Sequence, residues 1–189
     1  MRTHLLMALI GLSLASCWGQ EVRVGSKLAS VTIRDSNSPV VFSVTSAPAT
    51  VIVFVSTRCP ISNAYNDRMN SIFKEFSAKG VQFAFVNANS NESRAEVDQH
   101  AKANQFAFRI YKDTGNALTN QFGAEVTPEV FVFDKDGVVQ YHGHVDDSTN
   151  PARVQVKGLH KALDAVLSGQ PVEKKETKAF GCTIKKART

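Results

Sequence analysis

Five consecutive apolar residues, Val51-Ile52-Val53-Phe54-Val55, lead through a short turn to Cys59-Pro60 and then into a helical pattern. Few arrangements accommodate that order. A strand with no polar position has to be covered on both faces, which places it inside a sheet with a layer above and a layer below. Proline suits the first turn of a helix, where its missing N–H costs nothing. The sulfur of Cys59 therefore sits where a buried strand turns into a helix. Unpaired N–H groups and the positive end of the helix dipole favour a thiolate at such a point. The thiolate is the reactive form of cysteine, and Arg58 adds a positive charge beside it. Redox or nucleophilic thiol chemistry is the first expectation.

The elements on either side fit an α/β fold. Residues 31–34 and 40–43 read as short strands around the turn-forming Asp35-Ser36-Asn37-Ser38-Pro39, a hairpin ahead of the buried strand. Ile61, Tyr65, Met69, Ile72, Phe73 and Phe76 make one apolar stripe of a helix over 60–79, stopped by Gly80. Strands are predicted over 81–86, 108–111 and 130–133. A more exposed helix is predicted over 92–104, and a short one over 116–122 stopped by Gly123. Asp134-Lys135-Asp136-Gly137 makes a tight turn into 138–141, so the last two strands form an antiparallel hairpin. Pro151 opens a final helix with Val156, Leu159, Leu163, Val166 and Leu167 on one face. This alternation implies a three-layer α/β/α sandwich with a mixed central sheet and an N-terminal hairpin extension.

The chain has 189 residues, 43% of them hydrophobic, enough for one domain with a real core. Much of the net charge of +5 gathers near the end, where Lys174, Lys175, Lys178, Lys185, Lys186 and Arg188 face Glu173 and Glu176. A solvated basic tail over 172–189, following a domain over 18–171, accounts for it. With no basic helix or aromatic platform, nucleic acid is not an expected partner. Residues 1–17 read as a secretory signal: Arg2 and His4, an apolar run over 5–14 too short to span a bilayer, then small residues up to Cys17. Export to a periplasm or cell envelope is expected. Leu14-Ala15-Ser16-Cys17 also resembles the lipobox of bacterial lipoproteins. Two outcomes stay open there, membrane attachment through a lipidated Cys17 and ordinary cleavage near Gly19. Cys59 and Cys182 remain, and an oxidising compartment permits a bond between them. The cysteines and the five histidines lack the paired spacing of structural zinc sites.

The stretch Phe54-Val55-Ser56-Thr57-Arg58-Cys59-Pro60-Ile61-Ser62 is similar to the active-site turn of the thioredoxin superfamily. It most resembles the redoxin branch, the alkyl hydroperoxide reductase/thiol-specific antioxidant (AhpC/TSA) proteins and their exported thioredoxin-like relatives. The likeness runs from about residue 22 to about residue 168 and includes the Thr127-Pro128 step before the strand over 130–133. In that family the equivalent proline is cis and lies against the reactive cysteine. This implies that Pro128 frames backbone on which a substrate chain can pair. Two departures are informative. Thioredoxins carry a second cysteine where this chain has Ser62, whose hydroxyl can donate to a thiolate but cannot form a disulfide. Peroxiredoxins carry a proline where this chain has Ile52 and a threonine or serine where it has Ser56, so only the second position is met.

The resemblance implies a thiol-dependent oxidoreductase. Its Cys59 would attack a peroxide oxygen or a protein disulfide sulfur, and the sulfenic acid of the peroxide route needs a second thiol. Cys182 lies in an apolar island, Lys178-Ala179-Phe180-Gly181-Cys182-Thr183-Ile184. It resembles the Gly-Cys tail of related exported redoxins, which implies a resolving or disulfide partner for Cys59. An unpaired tail cysteine and a static structural bond to another point are the other outcomes. No organic cofactor is implied, and electrons would come from an external dithiol protein. A different class stays open, a redox-inert or copper-carrying thioredoxin-like binding module. The missing helix cysteine favours it, and His142 and His144, two apart on a strand, would face the same way.

Overall fold

A computed structural model of the chain describes residues 21–36 and 38–188. The signal-like segment 1–17, with Cys17, lies outside the described residues. The hairpin strands are β1 (Ser30–Asp35) and β2 (Ser38–Ser43). The buried run becomes β3 (Ala49–Val55), followed by α1 (Pro60–Asn63), α2 (Asn66–Ser77), β4 (Gln82–Asn87), α3 (Arg94–Ala103) and β5 (Ile110–Lys112). Then come α4 (Ala117–Phe122), β6 (Val126–Thr127), β7 (Glu129–Asp134), β8 (Val139–Gly143), α5 (Gly158–Leu167) and β9 (Cys182–Thr183). The central sheet has the order β5-β4-β3-β7-β8, with β3 and β4 each parallel to the next strand and β7 antiparallel to both of its neighbours.

The two-sided apolar strand explains the layering. Val51, Val53 and Val55 face one core with Met69 and Phe76 of α2, Val97 of α3, and Leu159 and Leu163 of α5. Ile52 and Phe54 face the other core with Val31, Ile33 and Phe42 of the hairpin, and Leu118 and Phe122 of α4. Strand β7 repeats the division, Val130 and Val132 to one side, Phe131 and Phe133 to the other. Each such side chain contributes about 1.5–3 kcal/mol on leaving water. The expected sandwich with its mixed sheet and hairpin extension is the fold.

Three local expectations differ. The helix predicted over 60–79 is interrupted at Ala64 and Tyr65, where the Tyr65 N–H bonds three residues back to Ser62. That tightening carries the Tyr65 ring into the core, 1% exposed, with its hydroxyl donating to the Asp146 carbonyl at 3.3 Å. The strand predicted over 108–111 starts at Ile110, because Phe108 turns aside to stack on Phe85 at 3.6 Å. Pro151 opens only a single 3-10 turn, Pro151–Arg153, and the last helix starts at Gly158. A Cβ on Gly158 would lie 2.4 Å from the Tyr141 hydroxyl, so the helix begins where the chain can approach β8 that closely.

The tail docks through the apolar island around Cys182, with Phe180 and Ile184 against the body. Its lysines are solvated, but its backbone is laid along the domain. Val172 and Ile184 are buried, and β9 pairs antiparallel with β6, Cys182 opposite Thr127.

Candidate functional site

The site lies beyond the carboxyl end of β3, where the chain leaves the sheet at Ser56. Ser56 is the hub of the turn. Its hydroxyl donates to Glu92 at 2.6 Å and accepts from the N–H groups of Arg58 at 3.2 Å and Cys59 at 3.0 Å. Its own N–H donates to the Ser62 hydroxyl at 3.1 Å. Thr57 adds its N–H and its hydroxyl to the same Glu92 carboxylate, at 2.8 and 2.9 Å, and the Asn87 amide donates there too. Burial by itself would raise the Glu92 carboxyl. The hydrogen bonds from Ser56, Thr57 and Asn87 outweigh it and hold the group below its ordinary value. An ionised carboxylate is thus built in beneath the reactive turn.

Cys59 caps α1, and the Ser62 N–H reaches its sulfur at 3.3 Å. The serine hydroxyl itself is turned away to accept from Ser56. Arg58 is placed differently from the sequence expectation. Its guanidinium is paired with Glu96, which neutralises the charge expected beside the sulfur. Glu96 in turn completes the cap of α3. The Ser93 N–H and then Arg58 hold its carboxyl down at about 2.

Thr127-Pro128 is a cis peptide, and the Thr127 carbonyl oxygen lies 3.5 Å from the Cys59 sulfur. Glu129 fixes this loop from below. One of its oxygens accepts from the N–H groups of Glu125 and Val126, and the other pairs with His142 at 2.7 Å. His142 also stacks on Phe131, while His144 is buried 6.3 Å from the Phe180 ring. The two histidines serve separate contacts and do not form the joint face expected for a metal. Among the described residues, no group of three or more potential ligands comes together.

Cys182 closes the site. It forms a disulfide with Cys59, Cα atoms 5.8 Å apart, across 123 positions of sequence. The tail is then fastened beyond Cys182. Ile184 N–H donates to the Glu125 carbonyl at 2.8 Å, Lys185 N–H to the Asn89 side chain at 2.8 Å, and Ala187 N–H to the Asn116 side chain at 2.8 Å. In this state Cys59 is 3% exposed, less open than a reactive thiol requires, and Cys182 is half-buried. Cys182 of the tail lies against the Cys59 sulfur, together with the Thr127 carbonyl and the Ser62 N–H. A cavity of about 130 Å³ remains beside the sulfurs, lined by Ser56, Arg58, Asn91, Thr127 and Lys185 among others. The larger clefts lie elsewhere, one of about 670 Å³ between α5 and residues 171–177.

Cys59, Cys182, Pro128, Arg58 and Ser62 are therefore neighbours in one turn-and-loop cluster. Glu92, Glu129 and the asparagines at 87, 89 and 116 are functional supports that the sequence reading passed over. For Asn87, Asn89 and Glu92 the signal was the asparagine-rich stretch at and after the end of a parallel strand, at the carboxyl end of the sheet where such folds place their sites; Asn116 and Glu129 had no such signal.

A structure of an uncharacterised conserved protein from Geobacillus kaustophilus superposes with a TM-score of 0.79 at 27% identity, covering 88% of this chain and 94% of that one. A protein of Chlorobium tepidum proposed to be a thiol:disulfide interchange protein DsbE gives 0.61 at 18%, covering 78% and 99%. Peroxidoxin BcpB of Mycobacterium tuberculosis gives 0.58 at 20%, covering 79% and 98%. At those lower identities the likeness speaks for the fold alone. No curated protein matches the chain in sequence. The Redoxin family model matches residues 23–163, which takes in the turn of Cys59 and the Pro128 loop. On that match, and on a thioredoxin-like fold that closes a disulfide over this turn, the chain belongs to the Redoxin family and its chemistry is thiol-based redox chemistry.

Proposed function

We propose that the protein is an exported thiol:disulfide exchange protein, in which Cys59 attacks a polypeptide disulfide and Cys182 resolves the mixed disulfide. The observation that carries this reading is the Cys59–Cys182 bond seated against the backbone just before Pro128. Two placements favour exchange over peroxide reduction. The Ser56 hydroxyl, which would have to serve a peroxide, is committed to Glu92 and to backbone N–H groups. The Arg58 guanidinium is committed to Glu96. A metal-carrying module has less support, since the His142 ring is engaged with Glu129 and, among the described residues, no three potential ligands come together. An external dithiol protein would return the oxidised form to the dithiol. Export rests on the pattern of residues 1–17, and attachment through Cys17 would anchor the protein at the membrane surface.

The test mixes the reduced protein with hydrogen peroxide and with a model protein disulfide. Thiol loss is expected to be faster with the disulfide. Cys59→Ser abolishes it. Cys182→Ser still forms one mixed disulfide per chain but does not turn over. Faster oxidation by peroxide than by any disulfide would reassign the protein as a peroxidase.

A further inference from the structure

We infer that residues 180–184 are a tethered copy of the substrate, and that the site is shaped for an extended polypeptide whose reactive cysteine has glycine immediately before it and an aliphatic residue two places after it. This rests on the exchange reading above and adds the substrate's local chemistry to it.

The pairing supports the comparison. Strand β6 ends at the Pro128 step, and its edge is taken by the protein's own tail in antiparallel register, Thr127 opposite Cys182 and Val126 opposite Thr183. The pairing extends through the Ile184 N–H to the Glu125 carbonyl. Main-chain bonds of this kind hold any extended peptide, and side-chain positions then select among peptides. Three positions select here. A Cβ at Gly181 would come within 1.9 Å of the Thr127 carbonyl oxygen, so the residue before the cysteine has room only for hydrogen. Ile184 is 5% exposed and joins the core between hairpin and α4. Phe180 packs by its edge on Tyr65, ring centres 6.3 Å apart. Thr183 points outward and is exposed, so that position carries no selection.

The chemistry balances with the tail and the substrate taking turns at one edge. In the reduced protein the Cys59 thiolate attacks the substrate cysteine lying on β6. A Cys59–substrate disulfide forms, and the second substrate cysteine leaves as a thiolate and takes a proton from water. The tail then replaces the substrate strand. The Cys182 thiolate attacks the Cys59 sulfur, the Cys59–Cys182 bond forms, and the first substrate cysteine leaves as a thiolate. The substrate gains two electrons and the protein loses two. An external dithiol restores the reduced form.

The probe is a synthetic peptide copying residues 178–186, its cysteine carried as a mixed disulfide with thionitrobenzoate, whose release is read by colour. Two altered peptides carry valine before the cysteine or aspartate two after it. The reduced Cys182→Ser protein is the acceptor, with the Cys59→Ser, Cys182→Ser protein as the blank. The matched peptide is expected to react about tenfold faster than either altered one, the discrimination a single pocket contact gives. The reduced unsubstituted protein is expected to show the same ranking. Adding Gly181→Val to the Cys182→Ser protein, which unseats the tail, is expected to speed the matched peptide further. Equal rates for all three peptides would overturn the inference and leave the exchange reading standing. No reaction with these peptides or with glutathione disulfide would overturn both.

Discussion

A carboxylate that is 2% exposed stays charged only if donors surround it, and Glu92 collects them from Ser56, Thr57 and Asn87. Through the Ser56 hydroxyl it also sets the N–H of Cys59, so it positions the reactive turn without touching the sulfur. Glu92→Gln keeps the shape but turns an all-acceptor group into one that carries donors of its own, facing donors. Charged hydrogen bonds of this kind are worth about 1.5–3 kcal/mol, so the substitution should destabilise by about 2–3 kcal/mol in urea unfolding and slow the exchange of Cys59. The Glu92 carboxyl sits below its ordinary value of 4.5 in the folded protein. Its contribution to stability is therefore complete above that value and fades as pH falls toward the lower folded value. The gap between the two proteins should stay level from neutral pH down to about 4.5 and narrow only below it, as pH falls toward the lower folded value. A gap that stays constant with pH would mean that the carboxylate's charge is not what holds the turn. Cys59 was legible in the sequence because a Pro-started helix after a two-sided apolar strand is a local pattern. Glu92 was not, because its partners in the reactive turn, Ser56 and Thr57, lie 36 and 35 positions away and only the parallel pairing of β3 with β4 brings them together.

Elements were legible where one period covers the whole segment. The alternation of β3 and β7 between two cores follows directly from the unbroken apolar runs 51–55 and 130–133 within them, and the turn at Asp134–Gly137 follows from its residues. The start of α5 and the pairing of β6 with β9 were not legible, because each is set by a contact with a distant element. Gly158 makes this testable. Helix propensity alone says that Gly158→Ala should stabilise by up to about 1 kcal/mol. The added Cβ, however, would lie 2.4 Å from the Tyr141 hydroxyl, and that hydroxyl is not free to move. It donates to the His144 carbonyl at 2.7 Å and shares a hydrogen bond with Thr177, and its ring is 1% exposed. Overpacking of that kind costs about 1–3 kcal/mol, so the clash should win and the unfolding midpoint should fall. A rise in the midpoint would show that α5 can shift away from β8 at no cost. The strand β9 has only two residues, too short for any periodicity, and what marks it is the run of hydrogen bonds to Glu125, Asn89 and Asn116.

At the scale of the whole molecule, the disulfide ties redox state to folding. Cys59 and Cys182 are 123 positions apart, so their bond holds together most of the unfolded chain. A crosslink closing so long a loop stabilises the native state by about 2–4 kcal/mol relative to the reduced protein. A thermodynamic cycle then fixes a second quantity. Whatever free energy the disulfide adds to folding must appear again as a difference between the reduction potentials of the folded and unfolded chains. At about 30 mV for each 1.4 kcal/mol, the native disulfide should be harder to reduce than the same disulfide in denaturant by about 40–90 mV. The two measurements are independent, one from urea midpoints of oxidised and reduced protein, the other from equilibration with dithiol buffers. They should agree in size and sign. A disulfide stabilised in this direction makes the reduced protein a good electron donor, which suits a protein that opens disulfides in its substrates and relies on a strong external dithiol for recycling. Equal potentials in the folded and unfolded chains would mean that the fold gives the pair no bias. The docking of residues 181–187 would then be indifferent to redox state, and closure of the tail over β6 could not drive the resolving step.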